Sequence, residues 1–174
     1  MGHARGPAFR QMKHKPQQNA QSADQPPLSR SPIHLLHRAG QCAADIFAAE
    51  MGTLDLTPRQ FAVLLTVSQN EGLSQTDLVL MTGIDRSTLA DIVRRMLKKG
   101  LLQRRRTRED ARAYAVKLTD EGLQTLAAAR PRVEAVDARI LTALTADQKS
   151  TLVEDLKKIV ASLQDSASEP SRHE

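Results

Sequence analysis

The chain has no tryptophan, one tyrosine and three phenylalanines in 174 residues. Its core must therefore come from Leu, Ile, Val, Ala and Met. The single cysteine, Cys42, excludes an intrachain disulfide framework. No apolar run is long enough to span a bilayer, and no basic, apolar and cleavable segments follow one another as in a secretory signal. The simplest compartment is the cytoplasm, with no membrane partner. No nucleophile–base pair, phosphate-cradling glycine loop or metal motif stands out, so the chain reads neither as an enzyme nor as the holder of a cofactor. It contains no internal repeat.

Charge is present, and unevenly. The whole chain is +5, yet residues 84–112 alone hold ten Lys or Arg against four Asp or Glu. The first 32 residues hold five against one, which leaves the remainder net acidic. Positive charge gathered in one place favours a polyanion, because neutralised phosphates release their condensed counterions. The competing explanation is a solvated helix face and hairpin.

The helix signals are local and clear. Ser31-Pro32 is a start, a capping hydroxyl followed by proline at the first helical position. The helix it opens, to about residue 51, is apolar nearly all round, as expected of one buried in a core or against a partner chain. Thr57-Pro58-Arg59-Gln60 is a capping box that opens a second helix to about residue 69. Ser74-x-x-Asp77 starts a third, short helix that stops at Gly83. Asp85 caps a fourth, whose apolar stripe of Leu89, Ile92, Val93, Met96 and Leu97 has helical spacing and whose stop is Gly100. Two short helices about a glycine-containing turn make a helix-turn-helix. Residues 101–107 and 114–119 then read as strands of a hairpin, the wing. Thr119 caps a fifth helix to about residue 144, in which Pro131 predicts a kink or a break. Thr145-x-x-Gln148 caps the last helix, to about residue 164. The fold class is mainly α with a small β wing (α+β), a winged helix-turn-helix in a helical homodimer.

The expected organisation is a disordered basic arm over residues 1–31 and a dimerisation helix with its linker over 32–56. The DNA-binding domain follows over 57–119, then C-terminal dimerisation helices over 120–164 and a disordered tail over 165–174.

From about residue 33 to 164 the chain resembles the MarR family of bacterial transcription regulators. The resemblance rests on Leu56-Thr57-Pro58-Arg59-Gln60-Phe61-Ala62-Val63-Leu64, on Ser87-Thr88-Leu89 with Arg94-Arg95-Met96-Leu97-Lys98-Lys99-Gly100-Leu101-Leu102, and on Asp110-Ala111-Arg112-Ala113 followed by Val116-Lys117-Leu118-Thr119. Many members carry Asp-Pro-x-Asp at the wing tip where this chain has Arg108-Glu109-Asp110. The resemblance implies a homodimer closed by its terminal helices, with two readers spaced for a palindrome on double-stranded DNA. By that logic Arg86, Ser87, Thr88 and Arg94 stand at or near base edges. Arg112 enters the minor groove, and Asp110 can hold its guanidinium. Arg106, with Arg104 and Arg105, meets phosphates or points to solvent.

Members of the family are often repressors released by a small molecule bound between the dimer helices and the reader. The first helix here holds His34, His37 and Arg38, and Arg38 is the only Lys or Arg between Arg30 and Arg59. A cation on an apolar helix suits an aromatic carboxylate or the phosphates of an aromatic acyl-CoA, and the segment looks like relatives that control aromatic-acid catabolism. Hydrogen bonds at a dimer interface are the alternative role for these three residues. Two other readings stay open: redox sensing through Cys42, which the sequence places as a buried core thiol, and an architectural DNA-binding protein without effector. His34 and His37 lack the further ligands a metal site needs.

Overall fold

The computed structural model describes residues 28–70, 72–106 and 114–168, and for Arg106, Tyr114 and residues 165–168 the backbone alone. Its helices are α1 (Pro32–Met51), α2 (Pro58–Gln69), α3 (Gln75–Thr82), α4 (Arg86–Lys98), α5 (Asp120–Ile140) and α6 (Ala146–Ser168), and its strands are β1 (Leu102–Arg106) and β2 (Tyr114–Leu118). Two compact units divide between Arg38 and Ala39.

Side chains set the helix starts. Thr57 Oγ1 accepts from the Gln60 amide at 3.2 Å while Gln60 Oε1 accepts from the Thr57 amide at 3.0 Å. The same reciprocal box joins Ser74 to Asp77, and Thr145 to Gln148. Each pair satisfies two backbone donors that a helix start leaves without partners. At the end of α4 the Leu101 amide reaches the Met96 carbonyl and the Gly100 amide reaches that of Leu97, with Gly100 at φ +74°. This is a Schellman stop, and it needs a left-handed residue there.

The stripe of α4 does what its spacing predicts. Leu89, Ile92, Val93 and Met96 are buried, and Leu97 is partly buried against the same core. They join Val63 and Leu64 of α2, Leu78 of α3, Val116 of β2, and Leu126 and Ala129 of α5. The two strands pair antiparallel from Leu102↔Leu118 to Arg106↔Tyr114. A further bond, from the Val116 amide to the Leu73 carbonyl at 2.9 Å, ties the hairpin to the turn before α3. The wing is thus fixed to the same core that backs α4. At the end of α1, Arg132 of α5 donates to the carbonyls of Glu50 at 3.0 Å and Met51 at 2.8 Å, filling acceptors that a helix C-terminus leaves open.

Several expectations change. Of the kink or break expected at Pro131 the break does not occur, since α5 runs through it, and the helix ends at Ile140, four residues early. Leu126 and Ala129 before the proline and Val136 after it are buried, and this anchoring on both sides outweighs one missing backbone bond. α6 continues to Ser168, past the expected start of the tail, and Leu28–Arg30, placed in the arm, form a 3₁₀ turn. In α1 only Phe47 and Met51 are buried; Ile33, Leu35 and Leu36 are exposed. Cys42, expected in the core, is exposed as well, because it lies on the length of α1 that the single chain leaves uncovered.

Candidate nucleic-acid interface

Opposite its buried stripe, α4 presents Arg86, Ser87, Ala90 and Arg94, all exposed, with Thr88 half-buried. Asp85, the N-cap, organises the first turn. Its Oδ1 accepts from the Thr88 amide at 2.9 Å and from the Ser87 hydroxyl at 2.6 Å. These bonds, that from Ser87 foremost, hold the Asp85 carboxyl far below its ordinary value of 3.8. An ionised carboxylate only accepts, so the Ser87 hydrogen is committed inward. Its lone pairs remain, and Ser87 can accept from the amino group of adenine or cytosine in a major groove.

One turn on, Asp91 accepts from Arg94 through Oδ1 and forms an ion pair with Arg95 through Oδ2, which lies 2.7 Å from Arg95 Nε. Arg95 is a basic residue of this face that sequence reasoning passed over, although its i+4 spacing from Asp91 is legible. Lys99, also outside the expected set, turns away from the helix. Its Nζ donates to the carboxylate of Asp55 at 2.6 Å and to the Asp55 carbonyl at 3.0 Å, where the backbone is left-handed at φ 46°.

On the wing, Arg104 and Arg105 are exposed on β1. Arg106 has its backbone paired with Tyr114, while its side chain, and the whole of Asp110 and Arg112, lie outside the described residues. Beside the reader, a cleft of about 440 Å³ is lined by Pro58, Arg59, Ala62, Thr82, Gly83, Ile84 and Asp85. No sequence signal pointed to it, since it joins the start of α2 to the turn before α4. In the first unit, His34, His37 and Arg38 share one turn of α1; His34 is half-buried, and the other two are exposed. Among the described residues no helix is long and apolar enough to cross a membrane.

A rigid, core-backed helix with a donor-rich outer face beside a basic hairpin is built to enter a DNA groove and hold phosphates. Comparison with known proteins agrees. The family model described as MarR family matches residues 54–113. The transcriptional regulator HosA of Escherichia coli O157:H7 is 34% identical over 106 residues, which span 61% of this chain and 78% of HosA. The structure of the transcriptional repressor CouR bound to a 23-mer DNA duplex superposes with a TM-score of 0.72 at 31% identity, over 76% of this chain and 94% of CouR. That of Bordetella bronchiseptica BpsR, whose DNA binding is regulated by 6-hydroxynicotinic acid, gives 0.73 at 28% identity over 76% and 94%. With this fold, this reader and these relatives, the chain belongs to the MarR family of transcriptional regulators, winged-helix proteins.

Proposed function

We propose that this regulator is a repressor that binds a palindromic operator as a homodimer and leaves it when a small aromatic acid, or an aromatic acyl-CoA, binds. The carrying observation is the outer face of α4, where Arg86, Ser87, Thr88 and Arg94 stand on a helix whose opposite face is locked in the core. Arg106, Asp110 and Arg112 of the wing complete the DNA contacts in this reading. Residues 32–56 and 120–164 hold the dimer together. The uncovered apolar faces of α1 and of α6 support that assignment, since each leaves large apolar side chains in water.

The effector reading rests on His34, His37 and Arg38 in one turn of a mostly apolar helix, and on the regulation of BpsR by 6-hydroxynicotinic acid. Such a ligand must prefer the state that does not bind DNA, because equal affinity for both states shifts nothing. Moving the population from mostly bound to mostly free requires a difference of roughly 5 kcal/mol.

The test starts with selection of the preferred duplex from a randomised pool, followed by titration with aromatic acids and their CoA thioesters. Arg112→Ala is expected to weaken binding to the selected duplex by about 1–3 kcal/mol while the protein stays folded. Arg38→Ala is expected to blunt release more than it weakens DNA binding. Loss of release in Arg59→Ala with Arg38→Ala unaffected would move the effector to the cleft beside the reader. No selected sequence, or no release by any acid or thioester, would overturn the proposal.

The exposure of Cys42 supports a second reading, a thiol that senses oxidants. Release by peroxide that disappears in Cys42→Ser, with the aromatic compounds inert, would put it in place of the first.

A further inference from the structure

The reading face of α4 contains an acid where phosphate attraction alone would favour none. Asp91 lies between Arg86 and the Arg94–Arg95 pair, and its charge cancels part of what the helix offers a polyanion. Its geometry gives it a different task. The carboxylate sits low on the helix, its side chain 35% exposed, while the side chains it holds are 77% exposed at Arg94 and 68% at Arg95. Each carboxylate oxygen takes one guanidinium: Oδ1 receives Nη2 of Arg94, and Oδ2 receives Nε of Arg95. The bonds from Arg94 and Arg95 also hold the Asp91 carboxyl below its ordinary range, that from Arg94 being the largest influence.

We propose that Asp91 is a positioning residue for sequence reading, holding Arg94 and Arg95 as one fixed fork so that they meet base edges in a set geometry. The inference rests on α4 being the reader. A guanidinium is planar, and its donors match guanine O6 and N7 only in one orientation. Arg95 pairs with Asp91 on its Nε side, which leaves its two Nη groups as the pair that a bidentate contact uses. Free arginines lose rotamer freedom on docking, whereas side chains already held lose less. Discrimination between bases therefore gains from Asp91, and bulk attraction to DNA loses.

The experiment uses the full-length protein and the duplex selected from a randomised pool, with variants of that duplex in which single G·C pairs are replaced. Binding is titrated for the unaltered protein and for Asp91→Ala, Asp91→Asn, Arg94→Ala with Arg95→Ala, and all three alanines together. Thermal unfolding of each variant checks the fold. Asp91→Ala and Asp91→Asn are expected to bind random-sequence DNA more tightly. They are also expected to lose roughly twofold to fivefold of their discrimination at one or two G·C positions, the scale of an exposed ion pair. In the double-arginine background, Asp91→Ala should change discrimination no further. Tighter binding to every duplex by the same factor would reduce Asp91 to a charge on the surface and overturn the proposal. If the double-arginine variant itself keeps full affinity and discrimination, Arg94 and Arg95 do not read bases and this inference falls, whereas the proposed function falls only if Arg86→Ala and Arg112→Ala leave binding unchanged as well.

Discussion

Gly122, in the first turn of α5, sits where no other residue fits. A Cβ there would lie 2.1 Å from the carbonyl oxygen of Leu101, a backbone atom that cannot swing aside. Around the same point the Thr119 amide donates to Leu101 O at 3.2 Å, the Thr119 hydroxyl donates to Gly100 O at 2.5 Å, and the Gly122 amide donates to Thr119 Oγ1 at 3.0 Å. These bonds close the hairpin at its base and join the end of the reading helix to the start of α5. Gly122→Ala must open that knot. The expected loss is about 1–3 kcal/mol of stability, the usual range for overpacking, read as a lower urea midpoint. An unchanged midpoint would mean that the two backbones separate easily. Nothing in the sequence marks Gly122, because its reason is a distance to a residue twenty-one positions away. Asp85 was legible for the opposite reason, since its partners are two and three residues on. Cys42 was misplaced because an apolar neighbourhood along a helix does not reveal which parts of that helix the chain covers.

At the scale of elements, the caps carry most of what sequence could show. The starts of α2, α3, α4 and α5 were all readable from an oxygen-bearing residue bonded to an amide three residues later. Two of these starts contain a titrating carboxyl, the cap Asp85 itself and Asp77, which faces the cap Ser74. Asp85 and Asp77 are both held below their ordinary value of 3.8, by bonds from Ser87 and from Ser74 first. A carboxyl whose value is lower in the folded state favours the folded state when ionised. Its contribution is complete above the unfolded value and fades as pH falls through the folded one. Stability should therefore drop on acidification below about pH 4. Asp85→Asn keeps a side chain that caps equally well but does not titrate. Unfolding by urea at about pH 5 and about pH 3 should show a smaller acid loss in that variant than in the unaltered protein. Equal losses would place the acid sensitivity elsewhere. That α5 continues through Pro131 rather than breaking depends on buried neighbours on both sides, Leu126 and Ala129 before it and Val136 after it, and local rules do not see those.

Across the whole molecule, the apolar pattern of α6 was legible, but what covers it was not. Leu152, Val153, Leu156, Ile159, Val160 and Leu163 follow helical spacing, yet they remain 37–65% exposed. A stripe shows that a surface must be covered; it does not show whether the same chain or another does so. Membership of a family implied to pair through its terminal helices, together with these uncovered side chains, points to a second copy. Each side chain that finishes its burial there contributes roughly 1 kcal/mol, so six in each of two protomers give about 12 kcal/mol, of the same order as the cost of association. Leu156→Asp puts a charge in the middle of the stripe, where a buried carboxylate without a partner costs several kcal/mol. The proposed dimer should dissociate at least about a hundredfold more readily, as read by sedimentation over a concentration series. The DNA consequence separates this from simple misfolding. A folded monomer keeps α4, Asp91 and the wing intact, so it should still bind a single half-site with its former affinity. It should lose the gain that a duplex with two half-sites gives a dimer, since linking two readers makes the second contact intramolecular. If the variant sediments as before and still favours the two-half-site duplex, α6 does not hold the dimer, and the pairing surface must be sought on α1.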